Sequence, residues 1–247
     1  MTLWIIASAC AFYIKGLCGF ANTLVFTSVL AFGTENINIS PVELILGYPT
    51  NLIIAYKERK SIKWSTCLPI AMLVIAGSIP GIWILKNVDS RIIKIICGIA
   101  IILIGIEAFL REIQNNKDKE NKENKENKEN KFILMMIGIL SGVLCGLYGI
   151  GALLGAYVSR VTDNTSDFKA NICVIFFLEN TLRIILYIMT GIITIGVLKK
   201  AFFLMPVMAL ALVLGMISSK FINERIMKKI VQMLLILSGA ALLFNNI

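Results

Sequence analysis

Eight long apolar segments constrain the fold of this chain more than any other feature of its sequence. They lie at about 2–32, 41–56, 65–86, 91–111, 132–158, 168–191, 198–219 and 226–245. Several reach or exceed the roughly 20 residues that a helix needs to cross a bilayer. Hydrophobic residues make up 57% of the chain, which is more than a soluble core of this size requires. We therefore predict an all-α, polytopic integral membrane protein of about eight hydrophobic helical segments.

A charged stretch separates the first four apolar segments from the last four. Residues 117–131 repeat lysine, glutamate and asparagine. This composition cannot bury apolar surface and is typical of a solvated tether. We predict a first membrane repeat at 1–112, a low-complexity linker at 113–131 and a second membrane repeat at 132–247.

The net charge of +9 does not indicate a nucleic-acid partner. The basic residues lie in short loops between apolar segments, without interleaved aromatic residues, which is the distribution that the positive-inside rule describes. The six cysteines have no paired spacing, and the chain has no histidine and no Gly-x-Ser-x-Gly sequence. We therefore predict no metal site, no cofactor and no enzymatic activity.

The two halves of the sequence resemble each other. The residues Gly-Leu-Cys-Gly at 16–19 correspond to Gly-Leu-Tyr-Gly at 146–149, 130 residues later. Towards the end of each half, eight positions match at an offset of 134, among them Gly81 with Gly215. We interpret the two halves as products of an internal duplication, which is common in secondary carriers.

The first segment of each half is longer than one membrane crossing and too short for two. Segments 2–32 and 132–158 are each either one long broken helix, which makes the repeats parallel, or a re-entrant hairpin, which inverts the second repeat. When the basic residues of the linker are not counted, the hairpin arrangement places ten basic residues on the side of the linker and five on the opposite side. The single-crossing arrangement places six on the side of the linker and nine on the opposite side. The positive-inside rule favours inverted repeats that each open with a glycine-broken re-entrant hairpin, with both termini outside and the linker in the cytoplasm.

The glycine clusters are candidates for a substrate site. In a hairpin, the second half-helix begins near residue 18 or 148, and its free N–H groups and dipole attract an anion. Asn22 and Thr23 lie in the first turn of that helix. The glycines that we assign to the site are Gly16, Gly19, Gly146, Gly149 and Gly151. Close helix packing is the alternative role, and small-xxx-small spacing explains the second cluster equally well.

Polar residues follow each glycine cluster at matching positions. Thr50 and Asn51 in the first half occupy the place of Asn180 and its neighbours in the second half. We interpret these residues as parts of one substrate site near the membrane midplane. Buried amides also join helices, so a purely structural role is the alternative.

Three charged residues lie where charge is costly in a membrane. Lys15 directly precedes the first glycine and is a candidate countercharge for an anion. Glu179 and Arg183 are four residues apart on one helical face. They form either a structural ion pair or a proton-coupling carboxylate beside an anion-binding guanidinium. Glu43, in contrast, falls in a capping box that begins at Ser40, and we interpret it as structural.

In combination, these features resemble the sulfite exporter family of the TauE/SafE type. The features are the duplicated glycine-rich hairpin, the stretch at 180–183 followed by Tyr187 and Gly191, and the paired helix ends near Gly81 and Gly215. The resemblance spans nearly the whole chain apart from the linker. It implies a carrier of the bacterial inner membrane for sulfite, sulfonates or related small organosulfur anions.

The sequence thus predicts a secondary transporter that exports such anions by alternating access between its repeats. The predicted anion-binding residues are Lys15, Gly16, Gly19, Asn22, Thr23, Thr50, Asn51, Gly146, Gly149, Gly151, Asn180 and Arg183, with Glu179 as the candidate proton carrier. The alternatives are an anion channel and a transporter of a different small anion. The expected partners are the anion, the lipid bilayer and coupling protons, and the number of subunits stays open.

Overall fold

The computed structural model describes residues 1–31, 39–87, 131–149, 151–162 and 164–222, with single positions at 95, 99, 102, 103, 106, 233 and 240. The long described ranges form eight α-helices and no strand, as predicted for an all-α protein. The helices are α1 (Thr2–Cys18), α2 (Asn22–Ala31), α3 (Ile39–Lys57), α4 (Trp64–Asn87), α5 (Lys131–Tyr148), α6 (Ala152–Arg160), α7 (Thr165–Met189) and α8 (Ile195–Ser218). Most of the predicted linker and of the segments at 91–111 and 226–245 lies outside the described residues.

Three of the described helices are long and apolar enough to cross a membrane. They are α7, α8 and the stretch Trp64–Trp83 of α4. α1 is also apolar, but it has only 17 residues. Large apolar side chains cover the outer surfaces of α4 and α8, among them Trp83, Phe202 and Phe203. Such surfaces suit hydrocarbon, and a helix satisfies the hydrogen bonds of its interior backbone within itself, so these helices support an integral membrane protein.

Helices from the two halves pack against one another in matched pairs. α4 packs on α5, and α1 packs on α8. In order along the chain, α1 to α4 of the first half correspond to α5 to α8 of the second half. If each helix is replaced by its counterpart, the α4–α5 pair becomes the α8–α1 pair. The same exchange relates the α4–α7 contact to the α3–α8 contact, and it maps the α3–α7 pair onto itself. This pattern of partners is what an internal duplication would produce.

Small residues allow the two main interfaces to be close. Gly16 of α1 lies against the backbone of α8 at Gly215, and Gly146 of α5 lies against the backbone of α4 at Ser78. A Cβ atom at Gly215 would collide with the carbonyl oxygen of Tyr13. Because only glycine permits such an approach of two backbones, packing between helices explains the identity of both Gly16 and Gly146.

The chain reverses direction between α1 and α2. The rings of Trp4 in α1 and Phe26 in α2 meet edge to face, with centroids 5.8 Å apart. In a continuous helix their Cα atoms would be about 33 Å apart. The two helices therefore form a helical hairpin, and its turn at residues 19–21 is called the first tip below. The corresponding break between α5 and α6, at Gly149 and Gly151, is called the second tip.

Candidate functional site

A small polar cavity lies where the two tips meet. Residues 20–24 from the first tip and α2, Gly149 and Gly151 from the second tip, and side chains of α1, α3 and α7 line it. The space open to the centres of water molecules is about 20 Å³, which is room for one or two waters. The site is thus contracted in this conformation, and it would have to widen to hold an oxyanion.

The cavity collects seven of the twelve residues that the sequence assigns to the anion site. These are Lys15, Asn22, Thr23, Asn51, Gly149, Gly151 and Asn180. Thr50 is buried next to Asn51, but its hydroxyl donates to the carbonyl oxygen of Gly47 at 2.6 Å. Gly16 and Gly146 lie in helix interfaces. Gly19 and Arg183 adjoin the cavity without lining it in this conformation.

Lys15 carries the ammonium group of the cavity. It lies in the last turn of α1, and its carbonyl oxygen accepts the N–H of Gly19 at 2.7 Å, which closes the helix as φ of Gly19 turns left-handed at 87°. The side chain is only 1% exposed, so it does not extend to solvent. Its ammonium donates to the carbonyl oxygen of Gly47 at 3.4 Å, a long contact that leaves most of its donor capacity for a ligand.

Glu43 is a cavity residue that the sequence pattern did not reveal. Its carboxylate accepts a hydrogen bond from the side chain of Asn22 and is 3% exposed. The capping-box interpretation is wrong, because α3 already begins at Ile39 and Glu43 faces the cavity one turn later. A helical signal was present, since Glu43, Gly47 and Asn51 follow one another at four-residue spacing on one face of α3.

Gly47 provides the space in which polar groups from three helices converge. A Cβ atom at this position would lie 3.1 Å from Oε1 of Glu43, 3.2 Å from Nδ2 of Asn22 and 3.8 Å from Nζ of Lys15. The absence of a side chain therefore lets α1, α2 and α3 bring a cation, an amide and a carboxylate together.

Asn51 and Asn180 add amide groups from α3 and α7. Asn51 is fully buried, and neither Oδ1 nor Nδ2 has a hydrogen-bond partner in the described part of the chain. Leaving a buried polar group unpaired costs about 1–3 kcal/mol. The amide of Asn51 therefore indicates a position that a ligand or an ordered water occupies.

Arg183 and Glu179 lie behind the cavity on α7. Arg183 is 1% exposed, and it donates from Nη2 to the hydroxyl of Ser40 at 2.6 Å and from Nε to the hydroxyl of Tyr187 at 3.3 Å. Oε1 of Glu179 accepts from the hydroxyl of Ser78 at 3.3 Å, and Oε2 has no partner among the described residues. The two charges interact at longer range, and they form no direct ion pair in the part of the chain that the structure describes.

The second tip is covered by side chains of α7. Gly149 has a left-handed φ of 72°, and a Cβ atom there would collide with the guanidinium of Arg183. A Cβ atom at Gly151 would likewise collide with the ring of Phe176. Glycine at the second tip thus allows α7 to approach the turn, and Arg183 is held directly against its backbone.

The charged groups around the cavity balance one another. Lys15 and Arg183 are cations, Glu43 and Glu179 are anionic when ionised, and all four are almost fully buried. Coulombic interactions link Glu43 to both cations. The site can therefore offer an oxyanion one ammonium group and several amide and hydroxyl donors, while an added negative charge would disturb the balance unless a carboxylate takes up a proton.

Comparison with known proteins identifies the family. The sequence profile described as sulfite exporter TauE/SafE matches residues 4–242, which is nearly the whole chain. A search among curated proteins and a search among solved structures each found no match. The family-profile match covers both halves and every helix that contributes to the cavity. The chain therefore belongs to the sulfite exporter TauE/SafE family, whose members are membrane transporters of sulfur anions and not enzymes.

Proposed function

We propose that this protein is a secondary transporter that exports sulfite, a sulfonate or a related small anion across the bacterial inner membrane by alternating access. The observation that supports this most directly is the fully buried amide of Asn51, which has no partner among the described residues and lies in the cavity that also contains Lys15. A buried site with free donors and a cation suits a ligand with negatively charged oxygen atoms.

The anion would be held by groups from both halves of the chain. The ammonium of Lys15 supplies positive charge, and Nδ2 of Asn51 supplies an amide donor. The first N–H groups of α2, at Asn22 and Thr23, have no partner within the helix and attract negative charge. Asn180 donates from the opposite wall, on α7. Thr50, Gly19 and Arg183 do not line the cavity, and they would contribute to the shape or the electrostatic potential of the site from outside it.

The transport cycle would use the relation between the two halves. We infer a first repeat at 1–112 and a second at 132–247, inverted with respect to each other, with the helix pairs α1–α2 and α5–α6 as re-entrant hairpins. The exchange of partners between α1–α8 and α4–α5 supports this arrangement. Rocking of one half against the other about the α3–α7 contact would open the cavity to alternate sides. The termini would lie outside, and the linker at 113–131 in the cytoplasm.

Protons are the proposed coupling ion. When an anion enters a group of charges that is already balanced, one proton on a carboxyl group would restore neutrality. Glu179 is the candidate carrier, because its Oε2 atom has no partner among the described residues. Glu43 is the second carboxyl group within reach of the same cations.

The experiment that tests transport is flux into liposomes that contain the purified protein. We expect saturable uptake of radiolabelled sulfite or methanesulfonate that responds to a pH gradient. The substitution Asn51→Leu keeps the volume of the side chain but removes its donor and acceptor, and it should reduce flux at least about tenfold, equivalent to 1.4 kcal/mol. Thr27→Val is the matched control, because within the described residues the hydroxyl of Thr27 bonds to the backbone of its own helix alone.

The outcomes separate the alternatives. Wild-type flux in the Asn51→Leu variant would remove the cavity from the transport pathway. An anion current that does not saturate and does not depend on pH would indicate a channel. Flux of another small anion, with no sulfite or sulfonate flux, would keep the transporter and replace the substrate.

A further inference from the structure

One face of α7 is buried along the whole height of the site. Its residues follow at spacings of four and three, and they are Lys169, Cys173, Phe176, Asn180, Arg183 and Tyr187. Phe176 and Asn180 line the cavity. Arg183 lies at the second tip, and Lys169 lies at the first tip, about 10 Å along the helix from Phe176. The face thus runs from one tip through the cavity to the other.

The first tip rests directly on Lys169. Gly19 has a left-handed φ of 87°, and a Cβ atom there would lie 2.9 Å from Cγ of Lys169. The thiol of Cys173 donates to the carbonyl oxygen of Gly19 at 3.2 Å. Lys169 does not line the cavity, so the backbone of the first tip stands between the cavity and the stem of this lysine.

Lys169 is nearly buried and has no direct partner among the described residues. The residue is 8% exposed, and it makes no hydrogen bond and no ion pair with the described part of the chain. The titratable groups that interact with it are Glu58, Lys57 and the neutral thiols of Cys18 and Cys173, and none of them forms an ion pair or a hydrogen bond with it in the described part of the chain. Because burying an unpaired ammonium is costly, an anionic ligand would satisfy this group.

Lys169 also lies towards one face of the protein. Two residues earlier in α7, Asp167 forms an ion pair of 2.9 Å with Lys63, in the connection between α3 and α4. The backbone N–H of Lys63 donates to the side chain of Asn171 at 2.9 Å. These contacts place Lys169 between the cavity and the face that carries the α3–α4 connection.

We propose that Lys169 forms a second binding subsite for the transported oxyanion, separated from the cavity by the first tip. An anion that leaves Lys15 would pass to Lys169 when the tip moves away from α7, and it would then leave at the face of the α3–α4 connection. This inference rests on the proposed transport of a small anion. It predicts that Lys169 governs entry and exit at one face, while Lys15 and Asn51 govern affinity in the cavity.

The test compares Lys169→Gln with Lys60→Gln, in which an exposed lysine of the α3–α4 connection loses the same charge. Sulfite binding is measured by calorimetry in detergent, and flux is measured in right-side-out and inverted membrane vesicles. For Lys169→Gln we expect a dissociation constant within about twofold of the wild type. We also expect about a tenfold rise in KM for sulfite supplied at the face of the α3–α4 connection, and no change in KM at the opposite face. Lys60→Gln should match the wild type throughout, and Lys169→Arg should restore most of the flux.

Three results would overturn the inference. An unchanged KM at both faces would show that no anion binds at Lys169. An equal rise at both faces, with a dissociation constant weakened as much as in Lys15→Gln, would place Lys169 in the same site as Lys15. A wild-type protein that neither binds nor transports sulfite, methanesulfonate or another small anion would overturn the proposed function itself, and the subsite with it.

Discussion

The two tips share a backbone conformation and differ in their chemistry. Gly19 and Gly149 both have a left-handed φ, and each donates its N–H to the carbonyl oxygen four residues earlier at 2.7 Å. The helix after the first tip begins with Asn22 and Thr23, whereas the helix after the second tip begins with alanine and leucine. The two turns are thus alike, and the side chains that can donate to an anion are concentrated at the first tip.

The cations that contact the two tips differ in how many direct partners they have among the described residues. Arg183, at the second tip, is bonded to Ser40 and Tyr187 and interacts with two carboxylates. Lys169, at the first tip, has no direct partner among the described residues. A cation that donates two hydrogen bonds and interacts with two carboxylates contributes to the structure, whereas a buried cation without a partner in the described part of the chain is available to a ligand. We therefore propose a mainly structural role for the second tip and a mainly functional role for the first.

The largest expected effect is the loss of stability when the cation of the second tip is removed. Arg183→Met would leave Glu179 and Glu43 buried with less compensating charge, and breaking such a group costs about 3–5 kcal/mol. Lys169→Met removes an unpaired buried charge, so its stability should equal or exceed that of the wild type. Thermal unfolding in detergent measures both. Equal losses in the two variants would contradict the difference between the tips, and Arg183→Lys, which keeps the charge, should fall between wild type and Arg183→Met.

Alanine substitutions of three left-handed glycines separate backbone strain from crowding. Gly191 has a φ of 71° and no atom within 4 Å of a Cβ position, so Gly191→Ala should cost only the left-handed conformation, about 1–2 kcal/mol. Gly149→Ala would also collide with Arg183, which adds about 1–3 kcal/mol of overpacking. In Gly19→Ala the Cβ atom would lie 2.9 Å from Cγ of Lys169, a smaller overlap than the one at Gly149, so this variant should fall between them. Unfolding temperatures in the order Gly191→Ala, Gly19→Ala, Gly149→Ala, from highest to lowest, would support the contacts of Gly19 with Lys169 and of Gly149 with Arg183.

The third prediction concerns the affinity for the anion. Lys15→Met removes the ammonium of the cavity, and a hydrogen bond to a charged group contributes about 1.5–3 kcal/mol, so the dissociation constant for sulfite should rise at least about tenfold. The residue 130 positions later, beside the second glycine cluster, is Cys145, and Cys145→Ser should leave the affinity unchanged. Calorimetric titration of both variants gives the comparison. Similar losses in the two would show that both tips contribute equally to binding.

The helices could be predicted well from the sequence because hydrophobic length determines them. The segment predicted at 198–219 forms α8 at Ile195–Ser218, and the one at 41–56 forms α3 at Ile39–Lys57. The start of α7 has a clear cap, because the side chain of Asn164 accepts the N–H of Asp167 at 2.8 Å. The reversal at the first tip was one of two alternatives, since the sequence shows where a helix breaks but not in which direction the chain continues.

The site could be predicted only in part, because its members depend on contacts between distant helices. Asn22 and Thr23 were found because they adjoin the glycines in sequence. Gly16 has the same local signal, yet its neighbour is Gly215, which only the packing of α1 on α8 reveals. Glu43 was missed because its local pattern matches a helix cap, and its place beside Lys15 follows from the approach of α1 to α3.

The smallest expected effect tests why the first tip has an alanine at its third position. Ala21 has a φ of 71°, and it is the one residue other than glycine with a positive φ in the described part of the chain. Its counterpart, Gly151, has a φ of −92°, so the tips differ here in backbone as well as in side chain. Ala21→Gly would relieve about 1–2 kcal/mol of strain but would lose about 0.5–1 kcal/mol through the greater freedom of the unfolded chain. We expect a net gain between zero and about 1.5 kcal/mol and a small rise in unfolding temperature, measured as for the other variants. A fall as large as that of Gly191→Ala would contradict this expectation. It would mean that the methyl group of Ala21 stabilises the cavity wall by more than the left-handed backbone conformation of Ala21 costs.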